Sequence, residues 1–316
     1  MIPSAPTVSW ARSAWNDNIE DMKHLTTILF VFLSVVELSA KTKTISYNPE
    51  AGEYGIGTLS LPDVPYGKEE AVLIIHGGGW AAMDRAAFAG VAEYFTDCLG
   101  MAAFNIEYTL AGPSGSGKEP WPACGNDCVK AAEWMFSKAF ARKAGFSPKR
   151  IWICGGSAGG HLALWTGLNL PSEKVAGIIS ISGIADPLPD YEVHTNRYNV
   201  LFGGHAPTAE ELESMSIMNL VRSDGPRILL THESEDTVVP IESARHFLSA
   251  YRDAGNEIVF YEYSRSIYDG LTGHCIWIPG SKPHRLIPQL ESEIEKFVKR
   301  CKCCTRKSRH GGVEKD

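Results

Sequence analysis

Cys154-Gly155-Gly156-Ser157-Ala158-Gly159-Gly160-His161 decides how the rest of the chain is read. The apolar run Ile151-Trp152-Ile153-Cys154 precedes it and has strand character, and a helix-like run follows from His161 to Leu170. Gly155-x-Ser157-x-Gly159 therefore fits G-x-S-x-G at a strand-to-helix turn. Such a turn is sharp and strained. The residues beside the Ser must be small, and the hydroxyl is lifted clear of the sheet. The N–H of Ala158, at the start of the helix, then points into the same space. Gly and Ser are common residues, so this motif by itself carries little weight.

A second motif adds the weight. His76-Gly77-Gly78-Gly79-Trp80 follows the strand-like run Ala71-Val72-Leu73-Ile74-Ile75. An HGGG loop after a central strand supplies backbone N–H donors to an oxyanion. The glycines let the backbone approach a carbonyl without a Cβ in the way. The candidate donors are Gly78, Gly79 and Ala158, and His76 reads as structural rather than as a base. Both motifs, in this order and each after a strand, resemble the α/β-hydrolase fold in its HGGG-bearing branch.

Around these motifs strands alternate with helices. Met101–Ile106, Val175–Ser182, Arg227–Thr231 and Ile258–Tyr263 read as strands. Ala86–Leu99, Asp127–Lys143 and Arg285–Val298 carry helical spacing. The alternation implies a mostly parallel central sheet with right-handed crossovers and helices on both faces. Lys43–Leu61 adds two more strands. Asp186–Val221, after the strand that follows the Ser157 helix, shows no strand–helix rhythm beyond a short acidic helix at Ala209–Met215. Its length marks it as an insertion, and loops this long in compact domains tend to be functional.

His232-Glu233-Ser234-Glu235-Asp236 follows the Arg227–Thr231 strand, and Val239-Pro240 comes next. An acid here could hold a His in the right tautomer and stabilise its cation. Asp236 is the candidate, with Glu233 and Glu235 as rivals. His274, in Thr272-Gly273-His274-Cys275, is the candidate base, with His284 as its rival. The order Ser157, Asp236, His274 is that of the α/β-hydrolases.

From about Thr44 to Val298 the chain resembles the carbohydrate esterases of that superfamily, the group with acetyl-xylan and feruloyl esterases. The resemblance rests on His76-Gly77-Gly78-Gly79-Trp80, Gly155–His161, Asp236 before Val239-Pro240, and Gly273-His274. It implies a serine esterase acting through an acyl-enzyme on acylated plant polysaccharides or oligosaccharides, with no metal and no organic cofactor. The chain departs from the pattern at three places. Met83 stands where relatives carry Gly before Asp84. Glu233 stands where they usually have Gly. Cys275 replaces the second Gly of Gly-His-Gly. The same motifs also resemble kynurenine-formamidase-like sequences, so a formamidase or peptidase on this fold stays open. So does a non-catalytic binding module.

Composition bounds the remaining classes. The 316 residues are 44% hydrophobic and 21% charged, with a net charge of −7. That suits a globular domain and gives no support for nucleic-acid binding. Met22-Lys23-His24, the apolar run Leu25–Val36 and Leu38-Ser39-Ala40 have the layout of a signal peptide. Residues 1–21 then read as an upstream extension, 22–40 as the leader and 41–300 as the catalytic domain. The mature chain is expected to begin near Lys41 and to be secreted or periplasmic. The apolar run is too short for a membrane span, which needs about 20 residues. Residues 301–316 form a basic polar tail, and Cys301, Cys303, Cys304 and His310 within it are spaced too irregularly to argue for a metal. Cys124 and Cys128, one helical turn apart, are expected to face the core rather than to pair.

Overall fold

A computed structural model describes residues 41–63, 70–264, 273–277 and 286–299. The leader-like segment, residues 1–21, His284 and the tail cysteines lie outside the described residues. Eight strands form one sheet in the order β1-β2-β4-β3-β5-β6-β7-β8. They are Lys41–Ser46, Ile56–Leu61, Glu70–Ile75, Ala102–Ile106, Arg150–Gly156, Val175–Ile181, Ile228–Glu233 and Ile258–Tyr263. β1 pairs with β2 and β2 with β4 antiparallel, while all pairings from β4 through β8 are parallel. The architecture is that of an α/β-hydrolase, as the alternation implied.

Parallel strands are covered on both faces, so they read as continuous apolar runs. In β3 the side chains alternate between two cores. Ala71, Leu73 and Ile75 join one. Val72 and Ile74 join the other. The first core contains Cys124, Cys128 and Ala131 of α2 (Ala123–Trp134), Leu162 of α4 (Ala158–Asn169) and Phe247 of α8 (Ile241–Asp253). The second contains Val91 of α1 (Ala89–Glu93) and Leu290, Ile294 and Phe297 of α9 (Pro288–Lys299). Cys124 and Cys128 are buried free thiols, as their spacing suggested. Among the described residues, no helix is long and apolar enough to cross a membrane.

Three stretches differ from the sequence reading. Residues 85–98 are not one helix but a 3₁₀ turn at Arg85–Phe88, α1, and a π turn at Tyr94–Cys98. The Thr96 hydroxyl donates to the Ala92 carbonyl at 2.8 Å, a bond that competes with the regular ladder. The helix expected over Asp127–Lys143 stops at Trp134 and restarts as α3 (Lys138–Ala144). The Ser137 hydroxyl caps the restart and Gly145, at φ 81°, ends it, the usual pairing of cap residues. The insertion is more helical than its sequence suggests. It holds α5 (Pro187–Val193), α6 (Thr195–Leu201) and the expected α7 (Ala209–Met215). Two turns are too few for a 3.6-residue period to show, but Asp186 as cap and Pro187 at the first helical position were legible signals.

Candidate active site

Ser157 sits between β5 and α4 with φ 56° and ψ −125°. This is a sparsely populated region for an L-residue and costs on the order of 1–3 kcal/mol. The neighbouring glycines make it possible. A Cβ on Gly155 would lie 2.2 Å from the Gly159 carbonyl oxygen, and one on Gly159 would lie 2.3 Å from that of Ile75. The Ser157 N–H donates to Ile181 O at 2.9 Å, which ties the elbow to β6. Ala158 is the first residue of α4, so its N–H has no acceptor within the helix.

The HGGGW loop lies beside the elbow. A Cβ on Gly77 would sit 3.3 Å from the Ser157 Cβ. Gly78 and Gly79 have φ of 105° and 58°. Neither N–H has a backbone acceptor among the described residues, whereas the Gly78 carbonyl accepts from Ala81 and Ala82. Tyr108 holds the loop from below, its hydroxyl reaching His76 O at 3.1 Å and Gly77 O at 3.2 Å. His76 is fully buried and stacked on Tyr108. Its Nδ1 lies 2.7 Å from Gly77 O and its Nε2 3.4 Å from Glu107, which fits the structural role read from the sequence. Met83 has φ 68°. The backbone there keeps the left-handed turn that a glycine would favour, and the exposed side chain adopts it under strain.

The acid and base come together across the loops after β7 and β8. Asp236 Oδ2 accepts from His274 Nδ1 at 2.7 Å and lies 3.4 Å from His232 Nε2. Oδ1 accepts from the N–H groups of Val238 at 2.8 Å and Val239 at 3.0 Å. Burial by itself raises the Asp236 carboxyl. The hydrogen bonds from His232 and His274, the His274 charge and the Val239 N–H outweigh it and hold the group well below the usual carboxylate range. Of the rivals, Glu235 is exposed, and Glu233 is buried at the end of β7 against Gly273.

Trp277 docks the His274 turn onto the elbow. Its ring lies edge-on to His274, with centroids 5.5 Å apart, and stacks on Phe88. A Cβ on Gly156, the residue before Ser157, would be 2.7 Å from it. Cys275 has no left-handed φ, so a side chain is tolerated there. Ser157, Asp236, His274 and the Gly78, Gly79 and Ala158 amides thus gather at one end of the sheet, where the parallel strands terminate.

Residues 58–251 match the BD-FAE family, well over half of the chain. The chain belongs to the BD-FAE family. This BD-FAE protein is 28% identical to esterase LipQ of Mycobacterium tuberculosis over 71% of its own length and 55% of LipQ. It is 27% identical to endo-1,4-β-xylanase B of Butyrivibrio fibrisolvens over 65% of its length and 33% of that protein. It therefore spans about half or less of these relatives. Among solved structures it resembles a truncated carbohydrate esterase from gut microbiota, with 20% identity, 84% and 97% of the two chains covered and a TM-score of 0.65. It also resembles the Est2 esterase of Thermogutta terrifontis, with 22% identity, 86% and 95% covered and a TM-score of 0.62. These last two likenesses are likenesses of fold.

Two residues of this BD-FAE site had no role in the sequence reading. His161 is fully buried on α4, one turn after Ser157. Trp80 Nε1 donates to its Nδ1 at 3.2 Å, and its Nε2 donates to Met215 O at 2.9 Å. It joins the HGGGW loop, the elbow helix and the insertion. Its spacing of four from Ser157 on a helix was the available signal. His232 closes β7 and donates to Val239 O at 2.9 Å while facing Asp236. No local pattern marks that bond, because its acceptor is a backbone carbonyl seven residues on.

Proposed function

We propose that this protein is a serine hydrolase of carboxylic esters that works through an acyl-enzyme. The 2.7 Å bond from His274 Nδ1 to Asp236 Oδ2 carries the reading. It fixes one imidazole nitrogen as a donor and leaves Nε2 as the base. Nε2 takes the Ser157 proton as Oγ bonds to the ester carbonyl carbon. The carbonyl π electrons move to oxygen, and the N–H groups of Gly78, Gly79 and Ala158 hold the resulting oxyanion. The tetrahedral species then collapses. The C–O bond to the alcohol breaks, and His274 gives the alcohol its proton. Water, deprotonated by the same nitrogen, attacks the acyl-Ser157, and the acid leaves as Ser157 regains its proton.

Acylated plant glycans are the substrate class we favour. The carbohydrate-esterase likeness, a match to a xylanase chain and the leader-like Met22–Ala40 segment support it. The protein would then act after export, with its chain starting near Lys41. The deciding experiment measures acetate release from acetylated xylan by the chain from Lys41, with Ser157→Ala as the blank. Release that vanishes in the variant is the expected result. A Ser157→Ala variant with wild-type rates refutes the nucleophile. A fluorophosphonate probe that fails to label Ser157 would favour a non-catalytic module. Labelling without acetate release moves the substrate to aryl esters or formamides. N-terminal sequencing of the exported protein finds no residue before Lys41 if the leader reading holds.

A further inference from the structure

We infer that Arg197, on the insertion, is a positioning residue for the triad acid and acts through the Val238–Val239 peptide. The inference rests on the proposed roles of Asp236 and His274. The Arg197 Nη2 donates to Val238 O at 2.9 Å. The N–H of Val239, in the same planar peptide unit, donates to Asp236 Oδ1 at 3.0 Å. One peptide is thus held at both ends, by a guanidinium on its oxygen and by the carboxylate on its hydrogen. A cation on the carbonyl polarises the unit and strengthens the N–H as a donor. It also stops the loop from rotating about its own axis, which would take the Val239 N–H away from Asp236.

The guanidinium is anchored on its far side. Nη1 lies 3.4 Å from Oδ2 of Asp190, a fully buried carboxylate on α5. Tyr198 Oη donates to the same oxygen at 2.9 Å and to Pro187 O at 3.2 Å. Burial pushes the Asp190 carboxyl up. Arg197, Tyr198 and the charges of His194 and His274 oppose that shift, which still leaves the group above the ordinary carboxylate range. A buried carboxylate is retained at a cost unless it is paired, and the pairing here spans α5, α6 and the acid loop. The fork of an arginine can serve two acceptors at once; a lysine ammonium at the same place cannot reproduce that geometry.

The insertion is therefore tied to the acid loop by side-chain bonds. Its α5–α6 corner is built into the support of the acid, so anything that shifts that corner shifts Asp236 as well. Ser182 and Tyr263 brace the neighbouring turns from the sheet side, but the oxygen of the Val238 peptide faces the insertion.

The test compares Arg197→Met, Arg197→Lys and Asp190→Asn in the otherwise intact chain. Turnover of a short aryl acetate is measured, together with the downfield proton resonance of the His274 Nδ1–H. Arg197→Met is expected to lower kcat roughly 10- to 100-fold with KM little changed, and to move the His274 resonance upfield in a folded protein. Added guanidinium should restore part of kcat. Arg197→Lys and Asp190→Asn should fall between Arg197→Met and wild type. Wild-type kcat and an unmoved resonance in folded Arg197→Met overturn the inference. So does a lower melting temperature with the resonance unmoved, since that marks a merely structural contact. If Arg197→Met does not fold, Arg197→Lys decides, and wild-type kcat in that variant is a refutation. An inactive Ser157→Ala beside a fully active Arg197→Met would sink only the positioning role. An active Ser157→Ala would sink the reaction on which it rests.

Discussion

The Glu233 carboxyl carbon lies 2.0 Å from the point at which a Cβ on Gly273 would stand. Tyr263 Oη donates to the Gly273 carbonyl at 2.8 Å. Gly273 is thus pinned between the end of β7 and the end of β8, and His274 inherits its position from that fit. The missing Cβ at Gly273 is what leaves room for the Glu233 carboxyl.

Replacing Gly273 by Ala is expected to displace either the Glu233 carboxyl or the His274 turn. Overpacking of this kind typically costs about 1–3 kcal/mol. Turnover should fall at least about tenfold, since small misplacements of a catalytic group are expensive. The double variant Glu233→Ala/Gly273→Ala opens the space again and should recover part of the loss. Steady-state kinetics of the two variants side by side would test this; equal activities would contradict it.

Asp236→Asn should keep the fold and lose about four orders of magnitude in kcat, because an amide cannot impose the same His tautomer. Glu235, beside it, is exposed to solvent, and Glu235→Gln should match wild type. Rates of both with a common aryl ester check the choice of acid.

The two glycines proposed to hold the oxyanion should respond differently to Ala. At Gly78 a Cβ would lie 2.1 Å from the Ala82 carbonyl oxygen, whereas at Gly79 it would meet nothing within 4 Å. Gly78→Ala must deform the loop, and kcat should drop about 100- to 1,000-fold, as when an oxyanion donor is removed. Gly79→Ala carries only the left-handed backbone penalty of about 1–2 kcal/mol, so its larger effect should be on melting temperature. Comparable kcat values for the two variants would argue against this.

Acid should destabilise the protein through His161. Burial lowers its pKa to about 4, although the bond to Met215 O opposes the shift. The folded state holds the ring neutral, because Trp80 donates to Nδ1. The unfolded chain binds a proton near pH 6.5, so stability falls as pH drops from about 6.5 to 4. The loss reaches at most about 1.4 kcal/mol per pH unit and on the order of 3 kcal/mol in all. Asp236 acts lower down. Its depressed carboxyl adds stability above the ordinary carboxylate pKa of about 4, and that stability is lost as pH falls further. Urea unfolding at several pH values should show a slope between pH 6.5 and 4 that is missing in His161→Gln.

The sequence by itself determined the elements whose reasons are local. Continuous apolar runs announce strands buried on both faces, and the two glycine motifs announce a strained elbow and a donor loop. The small residues there are demanded by backbone contacts within a few ångströms. Ser157 and Asp236 were legible as candidates for the same reason: each sits just after a strand whose own pattern is plain, whereas His274 stands eleven residues past the end of β8. What only the tertiary structure decided depends on partners distant in the chain. The choice of Asp236 over Glu233 turns on which carboxylate meets His274, a residue 38 positions later. The split helices at residues 85–98 and 123–144 come from caps and a side-chain bond that override periodicity. The links from His161 to Met215 and from Arg197 to Val238 end on backbone carbonyls. Every residue carries such a carbonyl, so no residue type or spacing could have pointed to those two.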